Sequence, residues 1–315
     1  DHHDPRGLSD ALRIDVDMEI SKREALLASV PFFDRAGVHE IYRSWRKHFD
    51  SFDKPIMAVA EAWVHPPVNG VAYVRPDELH QIFNFDLLIA PFDAKTLFRL
   101  VNNTIEMLKD VGAYPTWAIS NHDSPRVASR LGAEEARALA LFLFGLPGSC
   151  YVYNGEELGL PDAEVADSDR QDPSFLRTNG ETKGRDGARV PLPWSGMETP
   201  FGFSAGKPWL PLPTNWNELT VEIQSSNSDS SLSLYKRALS ERAELLGAND
   251  FTWDVSKIDQ GILGFSRAGI QVYLNSGDKS VKLQASEIIL SSSGTPTCEN
   301  GEVELMPRRA IWFKR

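Results

Sequence analysis

The sequence predicts an α/β domain with parallel strands, followed by a small antiparallel β domain. From residue 11 to about residue 245, short apolar runs alternate with helical patterns. Repeated β-then-α units of this kind favour parallel strands joined by crossover helices. After residue 250, short alternating runs are separated by turn signals such as Ala268-Gly269 and Asn300-Gly301, which are typical of antiparallel strands. We therefore place one domain at residues 1–247 and a second at residues 248–315.

The elements of the first domain follow from local periodicity. Strand-like runs occupy residues 11–16, 55–60, 82–88, 116–120 and 149–153. Helical spacing predicts helices at residues 38–49, 93–112, 134–144 and 231–246, the second capped by Asp93 and ended by Gly112. Periodicity is lost at residues 161–216, where Pro, Gly, Asp and Arg predict one long loop. Loops of this length in compact domains are usually functional.

Composition excludes some classes of protein and leaves many enzymes open. The net charge of −11 and the pI of about 5.2 disfavour a nucleic-acid partner, because a phosphate backbone would be repelled. The longest apolar run, residues 138–146, is too short to span a bilayer, and no signal peptide is evident. The two cysteines, Cys150 and Cys298, lie far apart and suggest no disulfide framework. These features predict a cytoplasmic protein without a membrane partner.

Three strand-like runs each lead into a carboxylate: Asp15, Glu61 and Asp123. In a parallel barrel the carboxyl ends of the strands converge on the active face, so these side chains are expected to share one cleft. Glycoside hydrolysis uses one carboxylate to attack the anomeric carbon and one carboxylic acid to protonate the leaving oxygen. The acid needs a raised pKa, which an apolar wall such as Trp63 would supply.

Each residue taken alone also fits a structural role. An Asp after a strand is more often a helix cap than a catalytic group. Arg13, two residues before Asp15, would pass as half of a surface ion pair, which contributes little to stability. His122 would pass as a capping or packing histidine, and Arg185, Asp186 and Arg189 as solvated loop residues. The catalytic interpretation depends on finding all of them in order at the ends of strand-like runs.

Several segments together resemble one family. Leu12-Arg13-Ile14-Asp15-Val16, Ala60-Glu61-Ala62-Trp63 and Ser120-Asn121-His122-Asp123 are similar to the three catalytic segments of the α-amylase superfamily of glycoside hydrolases, glycoside hydrolase family 13. Residues 153–159 resemble the loop after the eighth barrel strand. Three further segments resemble the α-glucosidase and oligo-1,6-glucosidase branch: residues 184–194, Phe83-Asn84-Phe85-Asp86 and Arg170-Gln171-Asp172-Pro173.

The resemblance implies a retaining α-glucosidase that removes terminal α-linked glucose from short α-glucosides through a covalent glycosyl-enzyme. Asp15 would be the nucleophile, Glu61 the general acid/base, and Asp123 the residue that grips the sugar hydroxyls. The residues implied to contact or support the sugar are Arg13, which orients Asp15, and His122, Arg185, Arg189 and Phe85. Val16 occurs in members that cleave α-1,6 bonds, but one residue leaves the α-1,4 versus α-1,6 preference open. No organic cofactor is implied; relatives can hold a structural Ca²⁺, but the sequence shows no cluster of ligands for one.

The resemblance also implies an incomplete barrel. If residues 11–16 form the fourth strand, the chain is the C-terminal portion of a (β/α)8 TIM barrel, about strands 4–8, followed by a small antiparallel β-sandwich. An N-terminal partner or self-association would then complete the barrel. The activity of the chain alone is therefore open. The alternatives are a sugar-binding remnant without catalysis and a related enzyme that transfers or isomerises the glucosyl group.

Overall fold

The structure is a computed structural model that describes residues 34–62, 64, 67–248 and 250–315. The chain divides into two compact units. The first takes in the described residues up to Phe85 together with Asn102–Thr116, and the second contains Asp86–Val101 and Trp117–Arg315. The predicted strand at residues 11–16 lies outside the described residues, and the sequence-based boundary at residue 247 stays a prediction.

The helices and strands are numbered here in chain order. The helices are α1 (Ala36–Phe49), α2 (Asp86–Ile89), α3 (Ala94–Lys109), α4 (Val127–Leu131), α5 (Ala133–Gly145), α6 (Pro173–Arg177), α7 (Val221–Ser225) and α8 (Ser231–Leu245). The strands are β1 (Val59–Ala60), β2 (Gln81–Ile82), β3 (Thr116–Trp117), β4 (Ser149–Cys150), β5 (Phe251–Asp254), β6 (Ile262–Arg267), β7 (Ile270–Asn275), β8 (Val281–Gln284), β9 (Glu287–Ser291), β10 (Glu302–Leu305) and β11 (Arg309–Lys314). Short 3₁₀ helices cover Pro67–Val74, Asp167–Asp169, Asp186–Ala188, Thr214–Leu219 and Ile258–Gln260.

The first unit contains a parallel strand pair, as the β-then-α pattern predicts. Strand β1 pairs with β2 in parallel, with Ala60 opposite Ile82. Ala60, Tyr73 and Leu79 form a small buried cluster, against which apolar side chains of α1 pack. Glu61 follows β1 directly, so the predicted order of strand and carboxylate is observed here.

A buried carboxylate ties α1 to the segment before β2. The Glu78 side chain has no exposed surface and lies 2.7 Å from His39 Nδ1. It also accepts hydrogen bonds from Arg43 at 3.0 Å and from Arg75 at 3.3 Å. Because a buried charge is tolerated only when it is paired and hydrogen-bonded, these contacts are needed to place Glu78 in the interior.

The strand predicted at residues 82–88 is wrong beyond its first residue. Strand β2 ends at Ile82, and Asp86 begins the one-turn helix α2. Leu87 and Leu88 of α2 are fully buried. Short apolar runs do not distinguish a buried strand from a buried helical turn, because neither shows a polar face.

Helix α5 forms the centre of the second unit. Its residues from Ala138 to Gly145 are all buried, which is expected of a helix that is apolar on every side. Trp312 of β11 donates to the Leu141 carbonyl at 2.9 Å, which joins the helix to the sheet. Beyond the end of α5, the Leu146 carbonyl accepts from Arg242 at 2.8 Å and from Arg267 at 3.0 Å.

No helix within the described residues combines the length and the apolar composition that spanning a bilayer requires.

The C-terminal region is a small antiparallel β-sandwich, which confirms the predicted architecture. One sheet has the strand order β5-β6-β7-β11-β9, and β8 pairs with β10 in a second sheet. Apolar side chains from both sheets, among them Leu283, Val303 and Phe313, form one buried cluster. Ala268 and Gly269 join β6 to β7 with positive φ angles of 49° and 76°, the combination that a two-residue type I′ hairpin needs.

Candidate functional site

The segment that carries Asp123 is held in place by its own polar side chains. Asn121 Oδ1 accepts from the backbone N–H groups of Asp123 at 3.0 Å and Ser124 at 2.8 Å, which closes a local turn. The buried Ser120 hydroxyl accepts from the Val127 N–H at 3.0 Å, at the start of α4. The segment that carries Asp123 is therefore closed into a turn and bound to the beginning of α4.

Two arginines converge on one oxygen of the Asp123 carboxylate. Arg185 Nη1 donates to Asp123 Oδ1 at 2.6 Å, and Arg189 Nη2 donates to the same oxygen at 2.8 Å. The other oxygen, Oδ2, lies 3.5 Å from His122 Nε2. The Asp123 side chain is 28% exposed, so the carboxylate is accessible to a polar ligand while its charge is balanced by two guanidinium groups.

The loop that supplies both arginines is anchored to the interior of the second unit. The Ala188 carbonyl accepts from the Tyr153 hydroxyl and from Arg126 Nη2, both at 2.9 Å. The Arg126 guanidinium also stacks 4.9 Å from the centre of the Tyr153 ring. The Gly187 carbonyl accepts from the Ala163 N–H at 2.9 Å. Arg185 and Arg189 thus extend from a segment whose backbone is fixed at its middle.

Two aspartates behind the arginines were not identified as site residues from the sequence. Asp172 Oδ2 accepts from the backbone N–H and from Nε of Arg185, both at 2.8 Å. Asp186 Oδ2 accepts from the backbone N–H groups of Gln171 at 2.8 Å and Asp172 at 3.0 Å. The sequence signals were the two family-like segments that contain them and the Asp172-Pro173 pair, which is typical of a helix start, and Asp172 does cap α6 through the Ser174 N–H.

The electrostatic interaction between Asp172 and Arg185 keeps both side chains charged. Burial alone would raise the pKa of the Asp172 carboxyl, but hydrogen bonds from Arg185 and from the Ser174 N–H outweigh it and hold the pKa well below its usual range. Burial likewise acts to lower the pKa of Arg185, and Asp172 and Asp123 reverse that effect and raise it. Glycine at position 184 allows the chain to pass close to Asp172, since a Cβ there would lie 2.6 Å from Asp172 Cβ.

A second buried carboxyl lies behind the Asp123 segment. Glu156 belongs to the loop at residues 153–159, is buried, and accepts from the Tyr235 hydroxyl of α8 at 3.1 Å. Burial raises its pKa to about 8, and hydrogen bonds with Tyr235 and Ser120 offset only part of that effect. Glu156 is therefore predominantly protonated at neutral pH, a property that its sequence position does not reveal.

The predicted site residues fall into three groups. Asp15 and Arg13 lie outside the described residues. Glu61 is exposed at the end of β1 in the first unit, which also contains Phe85, whose ring lies 6.2 Å from that of Phe83. Four residues of the second unit are brought together: Asp123, His122, Arg185 and Arg189. Arg189 Nε also donates to the His122 carbonyl at 2.9 Å, so the group is continuous.

This cluster has the chemistry of a site for a polar, uncharged ligand. A partly exposed carboxylate oxygen accepts hydrogen bonds from hydroxyl groups, and the neighbouring imidazole and guanidinium groups donate to oxygen atoms. The same carboxylate stabilises positive charge that develops close to it. A sugar ring supplies hydroxyl donors and acceptors of this kind, and its hydrolysis develops positive charge on the ring.

Comparison with known proteins places the chain in a family. Residues 7–247 match the model of the alpha-amylase catalytic domain. An oligo-1,6-glucosidase from Parageobacillus thermoglucosidasius is 28% identical over 245 residues, covering 66% of this chain and 43% of that protein. A probable alpha-glucosidase from Rhizobium meliloti is 35% identical over 177 residues, covering 53% of this chain and 31% of that protein. The crystal structure of an alpha-glucosyl transfer enzyme matches with a TM-score of 0.74 at 26% identity, covering 89% of this chain and 55% of that one.

The chain is thus built on part of an alpha-amylase-type TIM barrel followed by an antiparallel β domain. It belongs to the alpha-amylase family of glycoside hydrolases. The chain spans less than half the length of the two curated relatives described here.

Proposed function

We propose that this chain hydrolyses terminal α-linked glucose from short α-glucosides with retention of the anomeric configuration. The observation that carries the proposal is the Asp123 carboxylate, held through one oxygen by Arg185 and Arg189 with His122 at the other. This arrangement supports the role of Asp123 in gripping sugar hydroxyls. The glucosidase relatives support the choice of an α-glucoside as substrate.

In the proposed reaction two further carboxyl groups make and break bonds. The Asp15 carboxylate attacks the anomeric carbon and forms a glycosyl ester, while the bond from that carbon to the leaving oxygen breaks. Glu61 gives its proton to the leaving oxygen and then takes a proton from the water that hydrolyses the ester. Asp123 keeps its charge throughout, bound to the ring hydroxyls and close to the carbon that becomes electron-deficient.

Turnover of an aryl α-glucoside by the purified full chain tests this proposal. We expect release of the aryl group and of glucose, and we expect Asp15→Asn to lower kcat by about 10³-fold or more, because an amide is a poor nucleophile. Asp110→Asn removes the same charge from an exposed position at the end of α3 and should leave turnover unchanged. Glucose binding without turnover would favour the sugar-binding remnant instead.

A second candidate, glucosyl transfer, is favoured by the likeness to the alpha-glucosyl transfer enzyme. Its first step is the same, but an acceptor hydroxyl replaces water in the second and keeps the glucosyl group. Adding a sugar acceptor to the same assay distinguishes the two. Hydrolysis predicts equal amounts of free glucose and aryl alcohol, whereas transfer predicts less glucose than aryl alcohol and a new glucoside.

A further inference from the structure

A chain of hydrogen bonds leads from the interior of the long loop to the Asp123 carboxylate. It begins at Asp186, whose buried carboxylate fixes the backbone N–H of Asp172 at 3.0 Å. It continues through the Asp172 side chain to Arg185, and from Arg185 Nη1 to Asp123. Each member of this chain fixes the position of the next.

Asp172 differs from an ordinary surface partner of an arginine. Its side chain has no exposed surface, and both of its oxygens accept from Arg185. Oδ1 caps α6 through the Ser174 N–H at 2.9 Å and lies 3.5 Å from Arg185 Nη2, while Oδ2 accepts from the N–H and Nε of Arg185. The ion pair is therefore rigid, because both the backbone and the side chain of Arg185 are bound to the same atom.

Asp172 occupies one edge of the Arg185 guanidinium. This determines which nitrogen of Arg185 can donate to Asp123. An arginine that is free to rotate usually binds a carboxylate through two nitrogens and so occupies both oxygens. In Arg185, Nε and Nη2 donate to the two oxygens of Asp172 at 2.8 Å and 3.5 Å, and Nη1 alone donates to Asp123 Oδ1. The second oxygen of Asp123 is left facing His122 Nε2 at 3.5 Å.

We propose that Asp172 is a positioning residue of the sugar site, which holds Arg185 so that it binds Asp123 through one oxygen only and leaves the other for a sugar hydroxyl. The identity of the ligand, a sugar, rests on the proposed function. The contact between Asp172 and Arg185 is independent of that function. Asp172 acts through Arg185 and has no direct part in the reaction.

Calorimetric titration of the full chain with glucose tests the proposal through a double-mutant cycle. Asparagine at position 172 retains an oxygen that can cap α6, but the NH2 group that replaces Oδ2 cannot accept from Arg185. We expect Asp172→Asn to weaken glucose binding by about 10-fold to 100-fold, the range expected when a hydrogen bond to a charged group is lost. In the background of Arg185→Met, Asp172→Asn should cause no further loss, because Arg185 is the group through which it acts.

The matched control is Asp167→Asn. Asp167 lies in the same loop, is exposed, and pairs with Arg170 at 3.0 Å and Lys183 at 2.8 Å. Its substitution changes the net charge equally, and exposed pairs of this kind contribute little, so glucose affinity should remain unchanged. Multiplicative losses in the double variant, or a loss in Asp172→Asn no larger than in Asp167→Asn, would overturn the proposal.

A second readout needs no sugar. The Arg185 Nε–H should exchange slowly with solvent in the wild-type chain, as measured by nuclear magnetic resonance, and rapidly in Asp172→Asn. If the wild-type chain neither binds glucose nor turns over a glucoside, the proposed function fails, and this exchange measurement still decides whether Asp172 holds Arg185. Equal exchange in the two proteins would contradict the inference.

Discussion

Replacing Asp123 with asparagine is expected to lower kcat/KM for an aryl α-glucoside by about 10³-fold, the effect of removing a group that stabilises charge in the transition state. The expectation follows from the environment of its carboxylate. Asp123 Oδ1 accepts from Arg185 and Arg189, and a neutral amide would neither balance these guanidinium groups nor stabilise positive charge on the sugar ring.

The fold should survive this substitution, which makes the kinetic result interpretable. Arg185 retains its bonds to the buried Asp172, and Arg189 retains its bond to the His122 carbonyl. We therefore expect the thermal unfolding midpoint of Asp123→Asn to stay close to that of the wild-type chain. Asp110→Asn serves again as the charge control. Wild-type kcat/KM in Asp123→Asn would show that this carboxylate has no part in the reaction.

Glu156→Gln is expected to remove a pH dependence of the protein's stability and so to gain stability relative to the wild-type chain as pH rises towards neutral. The Glu156 carboxyl is fully buried beside the Tyr235 hydroxyl, and burial raises its pKa to about 8 from an ordinary value of 4.5. Glutamine keeps an acceptor for Tyr235 and carries no charge at any pH. The other ionisable groups that influence this carboxyl are the neighbouring Glu157, Arg126 and the Cys150 thiol.

The direction of the effect follows from proton binding. Between pH 4.5 and about 8 the folded chain holds the Glu156 proton and the unfolded chain has released it, so the free energy of unfolding falls as pH rises. The contribution is fully present below pH 4.5, and about 3 kcal/mol of it is lost by pH 7. Glu156→Gln lacks this pH dependence, so its stability relative to the wild-type chain should rise by about 3 kcal/mol between pH 4.5 and pH 7.

Urea unfolding at a series of pH values from 5 to 8 measures this difference. Glu164→Gln, at an exposed position of the long loop, is the control and should follow the wild-type curve. Parallel curves for wild type and Glu156→Gln across this range would mean that Glu156 is ionised in the folded protein. The buried position would then need a compensating positive charge.

Local patterns predicted most of the regular elements. The hairpin at Ala268-Gly269 and the strands around it follow from alternating apolar residues and from a turn that needs positive φ angles. Helix α5 follows from a long apolar run with good helix formers. Strand β5 was not predicted, although Gly247 follows the end of α8 and Phe251 and Trp253 alternate with polar residues. The region at residues 82–88 was misassigned because an apolar run has no period when every side is buried.

The sequence identified several residues of the site but not the contacts between them. His122, Asp123, Arg185 and Arg189 could be named from their motifs, and the structure brings them together. The role of Asp172 depends on contacts that only the folded loop creates. Its burial, its bond to Arg185 Nε and the approach allowed by Gly184 have no periodic signature. Glu156 was missed for the same reason, since a glutamate in a glycine-containing loop is normally solvated.

The measurement that tests the central claim most directly is the configuration of the first glucose released from an aryl α-glucoside, followed by proton magnetic resonance before the anomers equilibrate. A retaining mechanism, with two inversions at the anomeric carbon, predicts that α-glucose appears first and that the β anomer grows in later. First-formed β-glucose would contradict the covalent intermediate, and an absence of glucose from the purified full chain would contradict the proposed activity itself.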